Sequence, residues 1–241
     1  MRFNPPEGEL PSEGGQPGPR PGRIHTVIFD MDGTLSDSAV LTIAAFKKVA
    51  PRFGLPVPSV EDIRRATGNP NPEFYYILLP DFPRELVYNA GVEVEKEELN
   101  VLPTVSNTLL FRGCKELLER LKEYGVRLCI ASTGDEGHVA AVLQGTGIAP
   151  LFDTISCGRP DKTEMLRELA ERGEKSGYVM VGDMKKDYEA ARANAILSVG
   201  ACYGYCSRDL TDFDLYIDTP EELPQILNIT GGYLRAAHYN H

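Results

Sequence analysis

With 241 residues, 42% of them hydrophobic and 25% charged, the chain can bury one large core or a core domain carrying a smaller insertion. A net charge of −10 with no basic stripe argues against a nucleic-acid binder. No apolar stretch approaches the length of a membrane span, and the N-terminus lacks the apolar core of a signal peptide. The five cysteines (Cys114, Cys129, Cys157, Cys202, Cys206) include no Cys-x-x-Cys pair and read as free thiols of a cytoplasmic protein.

Residues 1–22 are rich in Pro and Gly without an apolar period, the make-up of a disordered tail. The first strand is Thr26-Val-Ile-Phe, a short β-branched run that reads as buried and parallel. Residues 38–110 then read as helical, broken by Pro and Gly into Ala39–Phe53, Val60–Thr67, Pro72–Leu79 and Pro83–Leu99. From there strands and helices alternate. Helices are expected at Lys115–Glu123, Gly137–Gln144, Thr163–Arg172, Lys186–Asn194 and Pro220–Leu227. Strands are expected at Val126–Ala131, Thr154–Ser156, Tyr178–Val181, Leu197–Val199 and Leu215–Ile217. Such alternation predicts an α/β fold: a Rossmann-like parallel sheet with right-handed crossovers, carrying an inserted all-helical cap domain. The expected division is a tail over 1–22, a core over 23–37 and 111–230, a cap over 38–110 and a flexible tail over 231–241. Hinges fall near Asp37-Ser38 and Phe111-Arg112-Gly113.

The chemistry gathers at strand ends, which share one edge of a parallel sheet. The first strand ends in Asp30-Met-Asp32-Gly33-Thr34; Asp-Gly is also an ordinary turn pair, but two close carboxylates call for a cation, and oxygen ligands suit Mg²⁺. Arg127–Ala131 ends in Ser132-Thr133-Gly134, where either hydroxyl could bond a phosphate oxygen. Tyr178–Val181 ends in Gly182-Asp183, with Asp187 four residues on. Lys162, or its competitor Arg159, is placed to neutralise a dianion.

Together these motifs resemble the haloacid dehalogenase-like hydrolase superfamily, in the branch with phosphoglycolate phosphatases and β-phosphoglucomutases. Asp30-Met-Asp32-Gly33-Thr34, Ser132, Lys162 and Gly182-Asp183…Asp187 match its four motifs in order, over roughly residues 24–227. Gly200–Ser207 resembles a Gly-x-x-x-Gly-Tyr-Gly-Ser stretch of that branch, with Cys206 in place of a glycine.

The resemblance implies an Mg²⁺-dependent phosphatase working through an aspartyl-phosphate. Asp30 would be the nucleophile and Asp32 the general acid and base. Ser132 and Lys162 would hold the transferring oxygens. The metal set would be Asp30, Asp32 through its main-chain carbonyl, Asp183 and Asp187, the last either through water or by orienting Lys162. Gly33, Thr133 and Arg64 are the expected substrate contacts, with Arg65 and the Thr67-Gly68-Asn69-Pro70 turn as further candidates. Lys185 and Lys186 read as a solvated helix start, and Lys47 and Lys48 as an exposed basic pair. The expected partner is a small phosphorylated metabolite, with no nucleic acid and no membrane, for a cytoplasmic monomer or homodimer. A phosphomutase, a non-catalytic binding member of the family and a phosphorylatable receiver domain are the competing readings.

Overall fold

The computed structural model describes residues 24–171, 175–205, 207–208 and 211–229. The expected tails over 1–22 and 231–241, and Cys206, lie outside them.

Six strands form one all-parallel sheet: β1 (Thr26–Phe29), β2 (Arg127–Ala131), β3 (Thr154–Ser156), β4 (Tyr178–Gly182), β5 (Leu197–Ala201) and β6 (Leu215–Ile217). The order across the sheet is β3-β2-β1-β4-β5-β6. Side chains alternate along each strand and so sort onto two faces. Val27, Phe29, Leu128, Ile130, Val179 and Val181 pack in one apolar cluster, and Ile28, Cys129, Met180 and Ala131 in the other. The second face is covered by α7 (Lys162–Leu169) and α8 (Lys185–Ala193), whose Met165, Leu166, Ala190 and Ala191 join that cluster. The first lies under α5 (Cys114–Glu123) and α6 (Glu136–Gly145). Both faces of β1 are therefore dry, which is why it is an unbroken apolar run.

Between Ser38 and Leu109 lie four helices: α1 (Ser38–Phe53), α2 (Val60–Ala66), α3 (Glu73–Leu78) and α4 (Arg84–Leu109). The chain enters and leaves this block side by side. Ser36 and Leu110 form an antiparallel bridge, the Asp37 N–H donates to the Leu109 carbonyl at 2.8 Å, and the Phe111 N–H to that of Leu35 at 3.0 Å.

Two expected boundaries need correction. The helix expected to stop at Leu99 runs on through Pro103 to Leu109. A proline inside a helix costs about 3 kcal/mol; burial of Val101, Leu102 and Leu109 offsets it. The closing helix is shorter than expected, a 3₁₀ turn over Pro220–Glu222 followed by α9 (Leu223–Ile226), because Pro224 brings no N–H to continue the first turn.

Candidate active site

Strand register assembles the site. Phe29 pairs with Val181 on one side and Ile130 on the other, so the residues just beyond these ends, Asp30, Asp183 and Ser132, arrive together. After Asp30 the chain turns tightly, with the Gly33 N–H donating to the Ser36 carbonyl at 2.8 Å and the Ser36 N–H to that of Met31 at 3.0 Å. Gly33 sits at φ +86°, and a Cβ there would run into the Asp183 carboxylate and the Tyr205 ring. Only glycine satisfies both demands. The loop after β5 buttresses this turn: the Tyr205 N–H donates to the Gly33 carbonyl at 3.2 Å, and a Cβ on Gly204 would collide with that carbonyl.

Lys162 opens α7 and is buried between two acids, its Nζ 2.7 Å from Asp30 Oδ1 and 2.5 Å from Asp187 Oδ1. The other Asp187 oxygen accepts the N–H groups of Asp183 (3.1 Å) and Met184 (2.9 Å). Asp187 is fully buried rather than facing solvent, and with both oxygens engaged it orients Lys162. Arg159, the rival for the lysine's place, is instead held by Glu168 at 2.7 Å on the surface. Thr34 Oγ1 donates to Asp183 Oδ1 at 2.9 Å, but Asp183 Oδ2 is buried with no hydrogen-bond partner. Carboxylate oxygens of Asp30, Asp183 and Asp187 lie within 4.8 Å of one another.

Three buried acids share one lysine, and their ionisation shows it. Burial first, then Asp187, pushes the Asp30 carboxyl up to about 7 against the pull of Lys162. Burial, Asp30 and Asp187 raise Asp183 well above the carboxylate range. Burial disfavours the Lys162 charge, but Asp187 and Asp30 outweigh it and raise its pKa. A hard divalent cation would complete this set, with the orphaned Asp183 Oδ2 and Asp30 as ready oxygen ligands.

The Asp32 side chain stands outside that trio. His138 Nε2 lies 3.3 Å from Asp32 Oδ1, and His138 Nδ1 lies 3.5 Å from Glu98 Oε2, with the proton placement set by the tautomer. Glu98 comes from α4 and accepts a 2.6 Å hydrogen bond from Thr42 of α1. Burial alone would raise Asp32; His138 outweighs it and holds the carboxyl low. Burial would likewise lower His138, but Asp32 and Glu98 raise it well above the ordinary imidazole value. Sequence reasoning missed His138 and Glu98. The one usable signal was position, because His138 lies in the first turn of the helix that directly follows the Ser132 strand end.

Two cavities meet at Asp32. The smaller, about 290 Å³, is lined by Asp30, Ser132, Lys162, Lys185, Lys186 and Glu189. The larger, about 470 Å³, reaches Thr42, Phe74, Glu95, Glu98, Asp135 and His138. Asp32, Thr133 and the Thr67-Gly68-Asn69 turn line both. Lys186 is exposed, as expected, and donates to the Gly68 carbonyl across the cleft at 2.7 Å. Arg64, expected at the substrate, needs correction. It lines neither cavity and binds the Asp37 carboxylate at 2.6 Å, packed 5.7 Å from the Tyr205 ring, because the hinge acid is nearer than the cleft. Arg65 pairs with Asp62 at 3.4 Å, and Lys48 with Glu97 at 2.9 Å, both on the surface. Cys114, Cys129 and Cys157 are free thiols.

Acids and a hydroxyl at neighbouring parallel-strand ends, with a lysine fixed between them, define an α/β enzyme built to handle an anionic group. Residues 27–201 match the family model of the haloacid dehalogenase-like hydrolases, and the chain belongs to that family. It is 30% identical over 220 residues to a phosphoglycolate phosphatase of Synechococcus elongatus, covering 84% of this chain and 96% of that protein. It is also 30% identical over 201 residues to the tyrosine-protein kinase PtkA of Mycobacterium tuberculosis, covering 77% of this chain and 65% of that one. Among solved structures, a predicted phosphoglycolate phosphatase from Haemophilus somnus superposes with a TM-score of 0.74 at 20% identity, over 84% of this chain and 97% of the other. At that identity the likeness is one of fold.

Proposed function

We propose that the protein is a cytoplasmic, Mg²⁺-dependent phosphomonoesterase of the phosphoglycolate phosphatase type, acting on a small phosphorylated metabolite. The observation that carries this reading is the buried Asp30–Lys162–Asp187 chain set against an Asp183 oxygen with no partner. Asp30 attacks phosphorus and becomes an aspartyl-phosphate, and the leaving alcohol oxygen takes a proton from Asp32. Asp32 then removes a proton from the water that attacks the phosphorus and frees Asp30. His138 Nε2 lies 3.3 Å from Asp32 Oδ1, so the imidazolium orients that carboxylate and is the source of the proton that Asp32 passes to the leaving oxygen. Lys162 and the Ser132 hydroxyl bind the equatorial phosphoryl oxygens, and Thr133 and the Gly33 turn bound the pocket around them. Asp30, the Asp32 main-chain carbonyl and Asp183 would hold Mg²⁺, which would supply the charge neutralisation that phosphoryl transfer requires. The α1–α4 block acts as the cap that keeps bulk water out. No helix among the described residues is long and apolar enough to cross a membrane.

The test is phosphate release from an aryl phosphate and a metabolite panel, with Mg²⁺ or chelator, by the wild type and Asp30→Asn. Metal-dependent turnover abolished by the substitution supports the assignment. Turnover that survives in Asp30→Asn, or none on any ester by a folded protein, refutes it. Net release of phosphate, as opposed to sugar-phosphate isomerisation, separates the phosphatase from a mutase.

A further inference from the structure

The cleft has ends of opposite character. Around the attacking Asp30 the smaller cavity gathers Lys162, Lys185 and Lys186 beside Asp30, Asp32 and Glu189. Lys162 is held by Asp30 and Asp187 and Lys185 by Glu189, while Lys186 meets only the neutral Gly68 carbonyl, so this end keeps a cation with no acid on it for a phosphate dianion. Past Asp32 the cleft widens into the 470 Å³ cavity, so an ester seated on Asp30 extends its alcohol portion there. The charged lining of that cavity is Asp32, Glu95, Glu98 and Asp135 against Lys96 and His138.

Both of those cations are already committed. The Lys96 ammonium is held by Glu93 at 2.8 Å and is mostly exposed. His138 is shared between Asp32 and Glu98. Glu95 receives one neutral hydrogen bond, from the Asn71 amide at 2.7 Å, and Asp135 caps α6 by accepting the His138 backbone N–H at 3.0 Å. The acids feel one another: burial, then Asp135 and Glu98, raises the Glu95 pKa. Phe74, buried Tyr75 and Leu99 complete the wall, giving aromatic surface beside the carboxylates.

We infer that the alcohol portion of the substrate carries a positive charge, an amine or quaternary ammonium a few bonds from the phosphate ester, bound by Glu95 and Asp135 against the aromatic wall. This rests on the phosphatase reading of the same site. A cation there is attracted to Glu95 and Asp135, whose hydrogen bonds come from neutral donors, and to the ring face. An ester with a carboxylate in its alcohol portion, such as phosphoglycolate, places an anion beside Glu95, Glu98 and Asp135, and like charges brought together in a partly desolvated pocket discriminate against it.

The experiment compares kcat/KM for phosphoethanolamine, phosphocholine, glycerol 3-phosphate, 2-phosphoglycolate and p-nitrophenyl phosphate, all with Mg²⁺, at low and moderate salt. The aminoalkyl esters are expected to exceed phosphoglycolate by about tenfold or more, chiefly through KM, with the margin narrowing as salt screens the field. Glu95→Gln should shrink that ratio several-fold, and Glu95→Lys should invert it. Asp135→Asn, which keeps the helix cap, should shrink it in the same sense. If p-nitrophenyl phosphate is hydrolysed while phosphoglycolate equals or beats the amines, the inference falls and the phosphatase reading stands. A ratio unmoved by both Glu95→Gln and Asp135→Asn also overturns it. Failure on every ester, the aryl phosphate included, removes the phosphatase reading itself.

Discussion

Asp183→Asn is expected to make the metal-free protein more stable while destroying its activity. The three carboxylates Asp30, Asp183 and Asp187 approach within 4.8 Å, and a pair of unit charges at that distance costs about 3.5 kcal/mol at an effective dielectric near 20. The raised pKa values of Asp30 and Asp183 mean that protonation already relieves part of this. The amide keeps the acceptor that Thr34 needs, so the hydrogen bond to Oδ1 survives. A net gain of about 1–3 kcal/mol is expected, at roughly 2–4 °C in Tm per kcal/mol for a chain of this size. Thermal unfolding in chelator and in excess Mg²⁺ is the assay. The wild type should gain stability from Mg²⁺; the variant should start higher and gain little. A variant less stable than wild type in chelator, or one that keeps the full Mg²⁺ response, would refute the charge argument.

Lys162→Met leaves Asp30 and Asp187 facing each other without their shared cation. It should lower kcat/KM by roughly 10²–10³ and cost about 3–5 kcal/mol of stability, read by steady-state kinetics and denaturant unfolding. An active, fully stable variant would dismiss the lysine. The metal-free protein should also lose stability as pH rises. Asp30 is raised from an ordinary value near 4 to about 7, so the folded state holds the extra proton between those limits and its stabilisation is gone above about 7. Asp183 and His138, both raised, act in the same direction, whereas Asp32, held low, acts only below about 4. Tm measured against pH in chelator should therefore fall from pH 5 to 7.5 and flatten when Mg²⁺ is added; a rise through that window contradicts the assignment.

The sheet was legible in the sequence because each strand is a short apolar run ending in turn chemistry, and the gathering of Asp30, Asp183 and Asp187 was legible because parallel strands deliver their ends to one edge. Lys162 could be ranked above Arg159 but not located, since only packing shows that one is buried on Asp30 and the other spent on Glu168. Arg64 was misread for the same reason: an arginine in a cap helix looks available until its partner Asp37 is seen. Glu98 and Glu95 gave no local pattern, and His138 only its place in the first turn after the Ser132 strand end. Their proximity depends on how α1 and α4 seat on the sheet edge, which no spacing along the chain encodes. Pro103 misled in the other direction, because a local breaking signal was overruled by tertiary burial.

The bridge between Ser36 and Leu110 constrains how the helical block moves. Both passages of the chain lie against each other, tied by the Asp37–Leu109 and Leu35–Phe111 hydrogen bonds. Sliding the block across the sheet edge would break both bonds, while turning it about the line they share would keep them. The geometry selects a swing like that of a door, with Asp37, Arg64 and Tyr205 clustered beside the pin. Side chains at that pin set the angle at which the door rests, and so a substitution there, outside both cavities, would be felt as a change in how long the cleft stays closed.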